Sequence, residues 1–156
     1  MMSFFKKNKI CNKILKICYN FLPFIMFFSY GVLVVYMLIH DIEGLVRIVL
    51  VPMTVFLLIT ISRKIFNRKR PYEKFNTPSV FGKSKKGESM PSRHTASAFI
   101  IAMTFLYVNV PLGIFYLSVS TLIMISRVLS GVHFISDVIV GMLISVLFGW
   151  LAFFII

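Results

Sequence analysis

The residues able to do chemistry are concentrated in one polar stretch, Gly87-Glu88-Ser89-Met90-Pro91-Ser92-Arg93-His94, where a basic loop runs into an apolar segment. A helix starting there offers free backbone N–H groups and the positive end of its dipole, which is an anion site. Ser92 is placed to cap the first turn, Arg93 adds fixed charge, and His94 can move a proton near neutral pH. Two further clusters share this character: Arg63-Lys64 with Arg70-Pro71, and Ser126-Arg127 with His133 and Asp137. His133 and Asp137 are four apart, which on a helix puts them on one face, one turn from each other. A carboxylate bonded to one imidazole nitrogen fixes the tautomer and leaves the other nitrogen free to attack. Guanidinium groups suit a phosphoryl group, whose charge is spread over three oxygens in the transition state. The chemistry is therefore that of an anion, and phosphoryl transfer fits it best.

The elements that must position these residues belong to a membrane. Of 156 residues, 58% are hydrophobic and 15% aromatic, more apolar side chain than a soluble domain of this length can hide. The net charge is +12, with Asp41, Glu43, Glu73, Glu88 and Asp137 as the only carboxylates. Such a cation excess suits anionic headgroups or phosphate substrates. Nucleic acid is excluded as a partner because most of the surface faces lipid. Cys11 and Cys18 lie seven apart on one stripe and have no partners at zinc spacing, so they read as packing residues.

Residues 1–20 mix Lys6, Lys7, Lys9, Lys13 and Lys16 with Phe4, Phe5, Ile10 and Ile14, and they read as a basic helix lying in the interface. Residues 21–156 then form one membrane domain, an all-α integral bundle of about five transmembrane helices. The spans are expected near 21–39, 46–66, 93–109, 112–129 and 135–156. Breaks fall at His40–Gly44, Pro111–Gly113 and Ser130–Gly131. Residues 67–91 form the long polar loop, and a loop of that length in a small bundle usually has a function. Two spans separate it from the 127–137 turn, so both lie on one side of the membrane. Arg127, His133 and Asp137 are costly in hydrocarbon and should point into a shared polar pocket. Tyr72 and Glu73 are expected to cap locally or pair with neighbouring cations.

The pattern Arg63-x6-Arg70-Pro71, then Pro91-Ser92-Arg93-His94, then Ser126-Arg127-x5-His133-x3-Asp137 resembles the three-part signature of the type 2 phosphatidic acid phosphatase family. That family shares its site with the vanadium haloperoxidases, and the similarity covers roughly residues 61–140. The resemblance implies that His133 is the nucleophile, forming a phosphohistidine, with Asp137 orienting it and His94 acting as general acid. It also implies that Arg63, Arg70, Ser92, the Arg93 backbone N–H and Arg127 hold the phosphate oxygens. One position departs from the signature: Arg63 stands where the family has Lys, with Lys64 beside it. Arg63 is preferred, because Lys64 would lie ~100° round the helix.

The resemblance implies a metal-independent membrane lipid phosphatase without cofactor. Its substrate would be a phosphorylated lipid: phosphatidic acid, phosphatidylglycerol phosphate or undecaprenyl diphosphate. His94, His133 and Asp137 also have the composition of a 2-His-1-carboxylate metal site, but surrounding arginines oppose a divalent cation. A non-catalytic anionic-lipid or phosphate-binding protein is the alternative, and it leaves the paired histidines unexplained. The positive-inside rule puts the basic side in the cytoplasm, whereas bacterial relatives that recycle lipid carriers face outward, and the sequence leaves both open.

Overall fold

The computed structural model describes residues 8–155, and the elements it defines are all helical. In chain order they are α1 (Lys9–Lys16), a π-helical turn (Ile17–Phe21), α2 (Leu22–His40), α3 (Ile42–Phe66), the single turn α4 (Pro71–Lys74), α5 (Arg93–Val108), α6 (Val110–Leu129) and α7 (Ile135–Trp150). A second π turn, Leu151–Ile155, closes the described chain. Side chains cap three starts: Asn8 Oδ1 accepts from Ile10 N, Asp41 Oδ1 from Gly44 N, and Asn109 Oδ1 from Leu112 N.

Four stretches are long and apolar enough to cross a bilayer: Lys9–His40, Ile42–Lys74, Val110–Leu129 and Ile135–Ile155. Their outer faces carry side chains such as Phe24, Phe28, Ile61, Phe115 and Leu147, which are left exposed where lipid would cover them. The fifth expected span, α5, differs in kind. It has 16 residues, fewer than the ~20 that cross a bilayer, and every residue from Thr95 to Phe105 is buried. A helix apolar all round is a core helix, and α5 packs against α2, α3, α6 and α7.

The close approach of α7 to α5 rests on small residues. Gly141, Ser145 and Gly149 recur every four positions and are all buried, a small-xxx-small seam of the kind membrane helices use. Ser145 Oγ donates to Ala96 O across it at 2.9 Å. A Cβ on Gly141 would lie 2.9 Å from Ser92 O, a backbone atom that cannot move aside. The seam therefore sets how near α7 comes to the start of α5.

The basic segment expected over 1–20 runs, within the described residues, straight into the first span. Lys9–His40 is one continuous helix with a π turn inserted, and Leu15 and Tyr19 are buried on one face of it. Lys9, Lys13 and Lys16 are exposed, while Phe4, Phe5, Lys6 and Lys7 lie outside the described residues. Cys11 and Cys18 are free and half-buried.

Two substitutions test this packing by thermal unfolding in detergent. Gly141→Val should destabilise by about 1–3 kcal/mol through overpacking. Gly31→Ala, at a position with nothing within 4 Å of a new Cβ, should instead stabilise by roughly 0.5–1 kcal/mol.

Candidate active site

At the end of the bundle where the π turn, the 67–92 loop and the 130–134 turn meet lies a cavity of about 350 Å³. The two imidazoles, His94 and His133, both line it, with Arg63, Arg70, Arg93 and Arg127 around them. Lys83 and Lys85 from the loop add two more cations, and Tyr19, Asn20 and Pro23 close one side. Among the described residues no carboxylate is on its wall, so the field inside is strongly positive.

Each buried guanidinium is anchored from behind. Arg63 Nη1 donates to Pro91 O at 2.8 Å, and its Nη2 lies 3.9 Å from Glu88 Oε2. Arg70 Nε donates to Gly87 O at 3.0 Å. Arg127 Nη2 donates to Tyr19 O at 2.7 Å. Arg93 is less buried and lies over the Phe56 ring, 5.7 Å from its centroid. Lys64 is exposed and away from the cavity, so the geometry favours Arg63 at that position.

The polar loop is stapled to itself. Glu73 Oε2 accepts from Arg70 N at 3.4 Å, capping α4, and from Gly87 N at 2.9 Å across the loop. Tyr72 Oη donates to Lys85 O and also lines the cavity. Glu88 has Lys85 at 2.8 Å, whose ammonium holds its carboxyl below the ordinary range. Val80 N donates to Ser130 O at 3.1 Å, tying the loop to the turn that carries His133.

Two sequence expectations change in detail. His133 precedes α7 rather than sharing a helical face with Asp137, which occupies the third helical position. The pair still meets, with His133 Nδ1 3.6 Å from Asp137 Oδ2, but this is longer than a hydrogen bond. The Ser89 hydroxyl sits beside the pair: it donates to Asp137 Oδ2 at 2.5 Å and lies 3.5 Å from His133 Nδ1. Ser92 occupies the N-cap position but makes no side-chain cap. Its buried hydroxyl accepts from Thr95 Oγ1 at 3.0 Å, while its backbone N–H donates to Asp137 O at 2.9 Å. Ser92 itself is not on the cavity wall.

Asp137 is fully buried and fully engaged. Besides Ser89 it accepts from Phe134 N at 3.0 Å and from Arg68 Nη1 at 2.8 Å. Arg68 also stacks on Phe134, 4.5 Å from the ring centroid. With Nδ1 turned toward Ser89 and Asp137, Nε2 is the His133 nitrogen left for chemistry. Burial pushes the His133 imidazole below its ordinary pKa; Arg70 and Arg63 push the same way and Asp137 opposes. His133 therefore favours the neutral, nucleophilic form. His94, by contrast, is exposed on the cavity wall.

Sequence reasoning missed Arg68, Ser89, Tyr19, Asn20, Lys83 and Lys85. Ser89 lies in the stretch already marked as chemical, two residues before Pro91, and a buried hydroxyl there was a legible signal. Arg68 and Tyr19 carried no such signal, because their partners are 69 and 108 residues away.

The PAP2 superfamily profile matches residues 44–156 of the sequence. The crystal structure of Aquifex aeolicus LpxE is similar with a TM-score of 0.69 and 24% identity, over 97% of this chain and 84% of that one. The crystal structure of the first transmembrane PAP2 type phosphatidylglycerolphosphate phosphatase from Bacillus subtilis is similar with a TM-score of 0.61 and 21% identity, over 97% of this chain and 90% of that one. No curated protein matches the sequence significantly. The four apolar helices and these neighbours identify an integral, multi-pass membrane protein.

Ser89→Ala removes the hydroxyl bonded to Asp137 beside His133 while leaving the Phe134 N–H and Arg68 contacts. A hydrogen bond to a charged group contributes about 1.5–3 kcal/mol, so kcat for phosphate release should fall roughly tenfold to a hundredfold. KM should hardly change, which steady-state kinetics in detergent will read.

Proposed function

Because the chain belongs to the PAP2 superfamily, we propose that it is a membrane lipid phosphatase acting through a phosphohistidine intermediate. The observation that carries this reading is the cavity in which His94 and His133 stand among four arginines, with Asp137 and Ser89 behind His133. In the first step the Nε2 lone pair of His133 attacks phosphorus, and the bond from phosphorus to the lipid oxygen breaks. His94 gives that oxygen its proton, and Asp137 with Ser89 stabilises the positive charge on the His133 ring. In the second step water attacks phosphorus, His94 takes its proton, the phosphorus–nitrogen bond breaks and inorganic phosphate leaves. The arginines stabilise the equatorial oxygens in both steps, and the α5 backbone N–H groups reinforce them. The six cations on the wall make this a hostile place for a divalent cation, so the charge stabilisation is assigned to protein groups alone.

A second cavity supports a lipid over a water-soluble phosphate ester. It holds about 250 Å³ and is lined by apolar side chains including Phe27, Met53, Phe56 and Ile100. Three helices each contribute to both cavities. Pro23 and Phe27 are one turn apart on α2, Arg93 and Ser97 one turn apart on α5, and Arg63 and Phe56 two turns apart on α3. The Arg93 guanidinium lies over Phe56, at the join. A phosphate in the charged cavity can thus lead a hydrocarbon chain into the apolar one. Phosphatidic acid, phosphatidylglycerol phosphate and undecaprenyl diphosphate all meet that description.

The test is phosphate release from those three lipids in detergent with EDTA present. Release is expected from at least one, and His133→Ala should abolish it; undiminished turnover by that variant would rule out the nucleophile. The acid limb of kcat/KM should fall below pH 6.5, the ordinary imidazole value, because a lowered pKa keeps the nucleophile unprotonated further into acid. A limb at or above that value counts against a buried neutral His133.

A further inference from the structure

The geometry points to Tyr19 as a positioning residue for Arg127, so that the N-terminal helix is part of the phosphate site. This inference rests on the reading of Arg127 as a phosphate ligand.

Arg127 is 2% exposed and has no carboxylate partner among the described residues. The one hydrogen bond of its guanidinium among those residues goes from Nη2 to Tyr19 O, at 2.7 Å. The Tyr19 ring covers the same guanidinium, its centroid 3.9 Å from Cζ, the arrangement in which a cation is attracted to an aromatic face. Tyr19 is itself 5% exposed and is wedged against Phe81 of the polar loop, ring centroids 4.8 Å apart. Carbonyl and ring together hold the guanidinium in one plane. Arg127 Nε is then left buried and without a partner, on a side chain that lines the phosphate cavity.

The π turn together with Pro23 explains why a helical residue can do this. Within an α-helix each carbonyl is committed to the N–H four residues on. The wider turn over Ile17–Phe21 shifts that register, and such turns recur at functional sites because they redirect a backbone group. Here Ile17 O accepts from Leu22 N, five residues on, which releases Cys18 O, and Tyr19 O is free because the residue four on is Pro23, which has no N–H. The neighbouring Cys18 O also receives a long hydrogen bond, 3.5 Å, from Ser126 Oγ beside Arg127. The segment before the first span is thereby docked onto the C-terminal end of α6, with Tyr19 at the contact.

Orthovanadate, which mimics five-coordinate phosphorus, is the probe, used with the full-length protein in detergent. Tyr19→Leu keeps an apolar side chain and the carbonyl but loses the aromatic face. It should weaken vanadate inhibition about tenfold and raise KM for the lipid phosphate, with kcat less affected. Tyr19→Phe should restore most of that loss. In an Arg127→Lys background, Tyr19→Leu should add little, because it acts through the group already changed. If Tyr19→Leu unfolds, Tyr19→Met supplies the same comparison. Unchanged vanadate inhibition in a folded Leu or Met variant overturns the inference, as does a full additional loss in the Arg127→Lys background. His133→Ala keeps the two readings apart. If that variant still turns over, the phosphatase mechanism fails; if it is inactive and Tyr19→Leu is normal, only the role of Tyr19 fails.

Discussion

Three guanidinium groups are buried at one end of this bundle, and each is held mainly by a backbone carbonyl. Arg63 donates to Pro91 O, Arg70 to Gly87 O and Arg127 to Tyr19 O. Burying a cation costs several kcal/mol unless its hydrogen bonds are made, and a carboxylate partner is the usual remedy. A carboxylate would also cancel the charge. A carbonyl satisfies the donor with a dipole and leaves the full positive charge to act on a ligand.

That constraint accounts for much of the irregular backbone. Carbonyls inside an α-helix are already committed, so acceptors for buried arginines must come from places where regular structure breaks. Gly87 and Pro91 lie in the loop between α4 and α5, and Tyr19 lies in a π turn. Non-helical backbone near a membrane is tolerated where it lines a polar cavity, and all three breaks border this one. The chain's few carboxylates stand outside the cavity wall. Asp137 faces His133 from behind with Ser89 bonded beside it, and Glu73 staples the loop. Negative charge is used to orient, and positive charge to bind.

Helix packing delivers the two histidines to one place. The small-residue seam on α7 lets it approach the start of α5 closely enough for Ser92 N to reach Asp137 O. That single backbone bond joins the helix start beside His94 to the helix start beside His133. The apolar cavity beneath, bounded by α2, α3 and α5, extends the site toward the hydrocarbon. A charged chamber above and an oily one below suit an amphiphile whose phosphate sits at the bilayer surface.

The sequence by itself determined the membrane class, the breaks between helices within a few residues, and the clusters that meet at the site. Apolar runs and motif spacing are local properties, and they survive in any arrangement of the chain. Tertiary structure decided the rest: that α5 is the enclosed helix, that Arg63 rather than Lys64 turns inward, and that Ser89 bonds Asp137 beside His133. It also decided that Arg68 pairs with Asp137 and that Tyr19 holds Arg127. Each of these depends on which surfaces touch across tens of residues of chain, and one-dimensional periodicity carries no record of that.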